Sequence, residues 1–148
     1  MNCSFYQVDV FTKIPFGGNP LAVVFDSEGL TDQNMQNIAR EMNLSETTFV
    51  LPPGNLPIDF LVRIFTPEKE IPFAGHPTLG TAHILRETGK VLSGDYRIKL
   101  AMKAGVITVA QGKKEDLLFM DQLLPNFEHP LNCAEELGKA LGISTDDI

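Results

Sequence analysis

Hydrophobic and polar residues follow one another in short blocks that predict strands near the start of the chain. Residues 4–11 are rich in aromatic and β-branched side chains, which predicts a strand. The apolar run at residues 21–25 is typical of a short strand that is buried on both faces. Residues 13–20, which join the two, are dense in Gly, Pro and Asn and predict a turn.

After residue 30 the spacing of the apolar residues changes and predicts an α-helix. Thr31 is suited to the N-cap position, where its hydroxyl can accept a hydrogen bond from the first turn. Leu30 and Met35 have the spacing of a hydrophobic staple. Apolar residues then recur on one face of the predicted helix, at Met35, Ile38, Ala39 and Met42. Asn43 can end this helix in a left-handed turn.

A second helix is predicted to begin within the AGHP segment, residues 74–77. Pro77 suits the first helical position and Gly89 suits the position just past the end, so the helix is expected to run from about His76 to Thr88. Residues 78–82 are uncharged and small or apolar. A helix of this kind is usually enclosed, here most simply by a curved β-sheet.

Five further strands and a last helix complete the prediction. The strands are expected at residues 46–51, 59–65, 96–102, 105–110 and 117–121. A turn at residues 111–116 makes the last two strands a hairpin, and residues 133–141 form an amphipathic helix followed by Gly142. About seven strands with two or three helices indicate an α+β domain. We expect this domain to span residues 1–130, with residues 131–148 forming a C-terminal helix and the start of a linker.

Composition narrows the class of protein. The chain has 148 residues, of which 43% are hydrophobic, and a formal charge of −7. That length suits one domain, and the negative charge argues against a nucleic-acid or anionic-membrane partner, because both need a basic surface. The N-terminal segment lacks the pattern of a signal peptide, and no apolar run approaches the roughly 20 residues that span a bilayer. We therefore expect a cytoplasmic protein.

Cysteine and histidine spacing argues against a disulfide framework, thiol catalysis and a metal. Cys3 and Cys133 are too few for a framework and match no zinc motif. His76 and His83 are two helical turns apart, about 10.5 Å, which is too far to share a metal ion. The chain also lacks both common Gly-rich phosphate loops, which argues against ATP or NAD as a cofactor.

Three short segments concentrate residues that could carry chemistry. In GGNP, residues 17–20, adjacent glycines let backbone N–H groups point at a ligand and Asn19 adds a neutral amide, although the segment taken alone is more typical of a plain tight turn. Ser45 and Glu46 lead into an apolar strand. Burial raises the pKa of a carboxyl group towards neutrality, which suits it to take and give a proton. The alternative is an exposed or capping carboxylate.

The third segment is AGHP, which places Gly75 and His76 at the start of the enclosed helix. Free N–H groups and the helix dipole at that end favour a bound carboxylate or oxyanion. His76 could donate a hydrogen bond or shuttle a proton. Alternatively, His76 is an N-cap that only fixes the entry of the chain into the helix.

In these segments the chain resembles the phenazine-biosynthesis (PhzF-like) isomerase family, which has the diaminopimelate epimerase-like fold. The similar segments are, in order, YQVDVFTKIPFGGNPLAVVF, NIAREMNLSETTFV and FTPEKEIPFAGHPTLGTAHIL. The match extends from about Tyr6 to Ile84, and more loosely to the last helix. The combination is specific, whereas no single segment is.

The resemblance implies a curved mixed β-sheet around a central helix, at about His76 to Thr88. It implies that Glu46 is the acid/base of a cofactor-independent isomerase that moves a proton on a small unsaturated or amino acid-like carboxylate. It also implies that Asn19, Ser45, Gly75 and His76 line the substrate pocket, and that no metal or organic cofactor takes part. Ala74 stands where thiol-using epimerase relatives have a cysteine, which argues against two-cysteine racemisation.

The chain departs from this family in length, because members have two similar domains with the active site between them. Two alternatives therefore stay open for the missing half of the site: a second domain of a longer protein, or a second copy of the chain in a homodimer. An alternative function is also open. A half-length domain could bind a small acid or a partner chain and catalyse nothing. A thiol racemase would require a reactive Cys133.

Overall fold

The chain folds into one curled sheet with three α-helices, seen in a computed structural model that describes residues 2–91, 97–112, 117–125 and 133–147. The strands are β1 Phe5–Val10, β2 Asn19–Val24, β3 Glu46–Leu51, β4 Phe60–Phe65, β5 Glu70–Ile71, β6 Arg97–Met102, β7 Gly105–Gln111 and β8 Leu118–Met120. The helices are α1 Asp32–Met42, α2 Gly75–Glu87 and α3 Ala134–Leu141, followed by a 3-10 turn at Thr145–Asp147. None of the described helices is long and apolar enough to cross a membrane.

The sheet is mixed, with the strand order β1-β2-β3-β4-β6-β7-β8 and with β5 paired to β4. The pairs β2–β3 and β4–β6 are parallel, and all the others are antiparallel. The parallel β2–β3 pair matters most for the site, because its connection carries α1 and because it brings the starts of two strands to the same edge of the sheet.

Helix α2 lies inside the curve of the sheet, as the uncharged sequence predicts. Its small side chains allow this close approach. A Cβ atom added to Gly80 would lie 2.6 Å from Leu21 Cδ2 and 2.7 Å from Val10 Cγ2, so only glycine fits there without a shift of its neighbours. Thr81 is fully buried and its hydroxyl lies 2.9 Å from that of Thr48 on β3. The helix is therefore fixed both by apolar packing and by a buried polar contact.

Strand β3 separates two hydrophobic clusters, because successive side chains of a strand point to opposite faces. Val50 belongs to the larger cluster around α2, and Thr48 bonds to the same helix. Phe49 belongs to the smaller cluster with Met35 and Ala39 of α1. By this alternation Glu46 is on the α2 face of the sheet. The period of two thus decides that this carboxylate faces the central helix.

The local signals of the first helix are confirmed. Thr31 is the N-cap and forms a capping box with Asn34, and Asn43 ends the helix with a φ of 51°. Gly89 follows α2 with a φ of 68°, and Gly142 follows α3 with a φ of 69°. These predictions succeed because a cap is decided by residues within one turn of it.

Three boundary predictions are wrong. Asn19 and Pro20, predicted as turn, open β2, because they pair with Val10 and Asp9 of β1. Residues 70–71, which lie outside every predicted strand, form the short strand β5 through pairing with β4. Pro77 is the third residue of α2, not the first, so the helix begins at Gly75. Residue 96 of the predicted fifth strand and residues 113–116 of the predicted hairpin turn lie outside the described residues.

Candidate functional site

The five residues predicted for the site lie at or beside the starts of three elements. Leu21 of β2 is opposite Glu46 of β3 in the parallel pair, so Asn19 at the start of β2 and Ser45 just before β3 share one edge of the sheet. Helix α2 begins at the same edge with Gly75 and His76. Sheet register and helix position together therefore gather residues that are far apart in the chain.

Glu46 and His76 face each other at the centre of this group. Glu46 Oε2 lies 3.4 Å from His76 Nε2, with side-chain exposures of 17% and 9%. The two groups are not aligned for a hydrogen bond. Both atoms are buried and have no hydrogen-bond partner among the described residues. Buried polar groups without partners are uncommon in folded proteins and mark places where a ligand or water completes the bonding.

Asn19 and Ser45 support the histidine from its other side. Asn19 Nδ2 lies 3.2 Å from His76 Nδ1, and the Ser45 hydroxyl donates to Asn19 Oδ1 at 3.1 Å. Asn19 is itself anchored by its backbone pairing with Val10. One ring nitrogen of His76 is thus bonded to the protein, while the other faces Glu46.

Burial favours the neutral form of the His76 ring. It lowers the pKa of His76 below its ordinary value, and the Glu46 carboxylate and the Pro20 backbone carbonyl only partly oppose this effect. A neutral imidazole has one nitrogen that donates and one that accepts. His76 can therefore give a hydrogen bond to a ligand without bringing a positive charge into the site.

The start of α2 adds backbone donors beside these side chains. Ala74 is the N-cap, and no side chain caps the helix. Pro77 has no N–H, so the free backbone donors of the first turn belong to the residues just before it, Gly75 and His76. A Cβ atom on Gly75 would meet only the flexible end of Met120, with Cε at 3.3 Å, so a small shift of that side chain would accommodate it. An uncapped helix start of this kind suits a carboxylate or an oxyanion.

The described residues offer no metal centre at this site. No group of three or more His, Cys, Asp or Glu side chains in that part of the chain is placed to hold a metal ion. His83, the second histidine of α2, is exposed. Cys3 and Cys133 are both free thiols, and Ala74 occupies the N-cap position next to the site. The site as described is built from one carboxylate, one imidazole, one amide, one hydroxyl and backbone N–H groups.

Comparison of this chain with known proteins identifies its family. The family described as "PhzC-PhzF: Phenazine biosynthesis-like protein" matches residues 8–147. The chain belongs to the PhzC-PhzF family. A trans-2,3-dihydro-3-hydroxyanthranilate isomerase of Pseudomonas fluorescens is 46% identical over 140 residues, which cover 93% of this chain and 48% of that protein. The chain thus spans about half the length of the curated relatives that it matches.

Solved structures give the same fold. The Bacillus anthracis phenazine biosynthesis protein of the PhzF family is 34% identical, with a TM-score of 0.76 over 100% of this chain and 50% of that one. A hydroxyproline epimerase from Agrobacterium vitis shares the fold alone, at 14% identity, with a TM-score of 0.52 over 66% of this chain and 35% of that one. The predicted PhzF-like family and epimerase-like fold are therefore confirmed.

Two features of this PhzC-PhzF site were missed by reasoning from the sequence. One is the backbone carbonyl of Pro20, which affects the His76 ring but has no sequence signal of its own. The other is the buried Thr48–Thr81 contact that fixes α2 against β3. The uncharged pattern of α2 indicated that this helix is enclosed, but not which strand residue meets it.

Proposed function

We propose that the chain is the catalytic half of a cofactor-independent isomerase in which Glu46 transfers a proton on a small carboxylate substrate. Glu46 takes a proton from one carbon and returns a proton to another, so the double bond moves and no atom is gained or lost. A carboxylate can perform both steps because it alternates between base and acid. No electron donor or acceptor is needed.

The observation that carries this proposal is the pair of buried atoms without partners, Glu46 Oε2 and His76 Nε2. A structural ion pair would be aligned and bonded, whereas this pair is 3.4 Å apart and unbonded. A substrate carbon next to Glu46 would meet the base, and a substrate oxygen next to His76 would meet a neutral donor. The free N–H groups of Gly75 and His76 would stabilise the negative charge that develops as the proton leaves.

The substrate class follows from the relatives and from the donors in the site. The Pseudomonas fluorescens relative carries the name of an isomerase of trans-2,3-dihydro-3-hydroxyanthranilate, which is a cyclic, unsaturated amino acid-like carboxylate. The uncapped start of α2 and the neutral His76 suit such an anion. We therefore propose an unsaturated or amino acid-like carboxylate as substrate, bound with Asn19 and Ser45 in the pocket wall.

The test is transfer of solvent hydrogen to carbon. The chain is incubated in D₂O with trans-2,3-dihydro-3-hydroxyanthranilate, and deuterium in the product is measured by mass spectrometry and NMR. We expect the native chain to introduce deuterium at carbon and Glu46→Gln to introduce none. Glu68→Gln, at an exposed carboxylate between β4 and β5, is the matched control. Deuterium transfer by Glu46→Gln at the native rate would overturn the role of Glu46.

We propose further that the site is closed by a second domain of the same fold, with residues 1–130 as the first domain and residues 131–148 as a C-terminal helix and the start of a linker. Phe11, Ile14 and Phe16 are all exposed in the loop just before Asn19, and Phe16 is 98% exposed. Phe11 and Phe16 also have positive φ angles of 67° and 65°. Exposed apolar patches of this kind mark interaction surfaces.

For the chain of 148 residues tested alone, we propose a second copy as the partner that supplies such a domain. We expect native mass spectrometry to detect a dimer that Phe16→Asp reduces. Leu56→Asp should leave the dimer intact, because Leu56 is exposed beyond the other end of β3. A strict monomer would overturn the homodimer. Without deuterium transfer, it would favour the second candidate, a domain that binds a small acid or a partner chain without catalysis.

A further inference from the structure

Four polar side chains form a continuous line of contacts across the site. This line fixes more of the geometry of the site than the proton transfer alone requires. Ser45 Oγ lies 3.1 Å from Asn19 Oδ1, Asn19 Nδ2 lies 3.2 Å from His76 Nδ1, and His76 Nε2 lies 3.4 Å from Glu46 Oε2. The first two contacts are hydrogen bonds, and the last is not. Each bond in this line restricts the direction of the next.

The direction of these hydrogen bonds follows from the orientation of the Asn19 amide. A carboxamide oxygen only accepts hydrogen bonds and a carboxamide NH₂ only donates. The Ser45 hydroxyl donates to Asn19 Oδ1, so the NH₂ group of Asn19 is turned towards the imidazole. His76 Nδ1 must then accept, and a neutral ring that accepts at Nδ1 carries its hydrogen on Nε2.

We propose that Asn19 and Ser45 are positioning residues that hold neutral His76 as the Nε2–H tautomer, with this N–H free for a ligand beside Glu46. The consequence for turnover rests on the proposed function, but the tautomer itself does not. In this arrangement Asn19 acts on the substrate through His76, and Ser45 acts through Asn19. The pair thus has a task other than direct contact with substrate.

The groups around the ring define the competing arrangement. The Pro20 backbone carbonyl interacts with the ring and can only accept a hydrogen bond. An Nδ1–H tautomer bonded to that carbonyl would require the Asn19 amide to turn and offer its oxygen to the ring, and the Ser45 hydroxyl would then accept from the Asn19 NH₂ group instead of donating to Oδ1. The orientation of the Asn19 amide therefore decides between the two tautomers.

Nitrogen-15 NMR distinguishes them directly. The chain is labelled at its three histidines, and long-range ¹H–¹⁵N correlations are recorded above neutral pH. We expect the His76 Nδ1 signal at the position of an unprotonated nitrogen and the Nε2 signal at that of a protonated one. Exposed His83 should give averaged signals and serves as the internal control. An Nδ1–H signal for His76, or averaged signals like those of His83, would overturn the proposal.

Variants test the two positioning residues separately. Ser45→Ala, at an exposed position, should move both His76 signals towards the average, whereas Ser45→Thr, which keeps the hydroxyl, should restore them. Asn19→Asp places a carboxylate at Nδ1, so we expect both nitrogens to become protonated and the titration midpoint of His76 to rise by about one unit or more. If Ser45→Ala leaves the His76 signals at native positions, Ser45 does not set the tautomer.

Turnover provides a second readout for the same variants. With trans-2,3-dihydro-3-hydroxyanthranilate as substrate, Ser45→Ala should lower kcat more than it raises KM. The reason is that a misplaced Nε2–H of His76 would stabilise less of the negative charge that develops on the substrate in the transition state. A rise in KM alone, with native His76 signals, would overturn the positioning role and favour direct substrate contact. The native NMR pattern in a chain that transfers no deuterium would refute the proposed function and leave the tautomer assignment intact.

Discussion

Two carboxylates of this sheet, on strands that both pair with β4, have similar burial and opposite surroundings. Glu70 of β5 is 12% exposed, and both of its oxygens bond to the Arg63 guanidinium at 2.8 Å, with Lys103 as a further partner. Glu46 of β3 is 17% exposed, and its buried Oε2 has no partner, although His76 lies 3.4 Å away. Burial therefore does not distinguish the two groups, whereas hydrogen bonding does.

This difference in hydrogen bonding suits Glu70 to stabilise the fold and leaves Glu46 free to react. The hydrogen bond from Arg63 is the main reason that the pKa of Glu70 is lowered, with Lys103 adding to it and burial opposing it. Arg63 also bonds to Asp32 at the start of α1, so this ion-pair cluster ties α1 to β4 and β5. In contrast, Glu46 and His76 keep one unused bonding position each, which a substrate can occupy.

The largest expected effect is on catalysis. Glu46→Gln should lower kcat/KM for the proposed substrate by about 10²–10⁴-fold, the usual range for loss of a general acid or base. Glu70→Gln makes the same chemical change away from the site and should retain most of the activity of the native chain. Steady-state kinetics under conditions where both variants are folded by circular dichroism provide the measurement. Equal losses in the two variants would remove the distinction between the two carboxylates.

Stability should respond in the opposite order. Glu70→Gln leaves the Arg63 charge with Asp32 alone and should lower the free energy of unfolding by about 2–3 kcal/mol, somewhat less than for a fully buried pair. Glu46→Gln removes a carboxylate without a hydrogen bond and should change stability by less than about 1 kcal/mol. Urea unfolding at neutral pH measures both. A larger loss for Glu46→Gln than for Glu70→Gln would contradict the comparison.

The stability contributions of His76 at the site and of Glu70 in the ion-pair cluster should change in different pH ranges. Because the pKa of His76 is lowered on folding, the unfolded chain binds a proton first, and stability falls as the pH drops below about 6.5. The pKa of Glu70 is also lowered, but from 4.5, so its contribution is present above that pH and is lost only below it. Urea unfolding from about pH 7.5 to 5.5 should give a smaller decline for His76→Gln than for the native chain. Parallel curves would show that His76 titrates alike in both states.

The smallest effect is expected at Lys103. Its side chain is 58% exposed and it bonds to a carboxylate that Arg63 already satisfies. Lys103→Met should lower the free energy of unfolding by at most about 1 kcal/mol, and added salt should reduce the difference. Urea unfolding at low and high ionic strength checks this. A salt-independent loss of several kcal/mol would mean that Lys103, rather than Arg63, holds Glu70.

Local features of the fold could be predicted because they depend on neighbours in the sequence. The Thr31 cap, the left-handed Asn43 and the bounds of β3 at Glu46–Leu51 agree with the pattern. Two of the three boundary errors are non-local. β5 and the first residues of β2 exist because of partners on other strands, and no local pattern distinguishes a paired residue from a turn residue with the same side chain.

For the site, the sequence by itself supplied the residue types and the three segments that contain them, together with a family resemblance that membership in the PhzC-PhzF family confirms. Only the tertiary structure brought Asn19 within 3.2 Å of His76, 57 positions away, and left Glu46 Oε2 unbonded. The physical reason is that hydrogen bonds act over about 3 Å, so their partners are chosen by strand register and helix packing rather than by order along the chain.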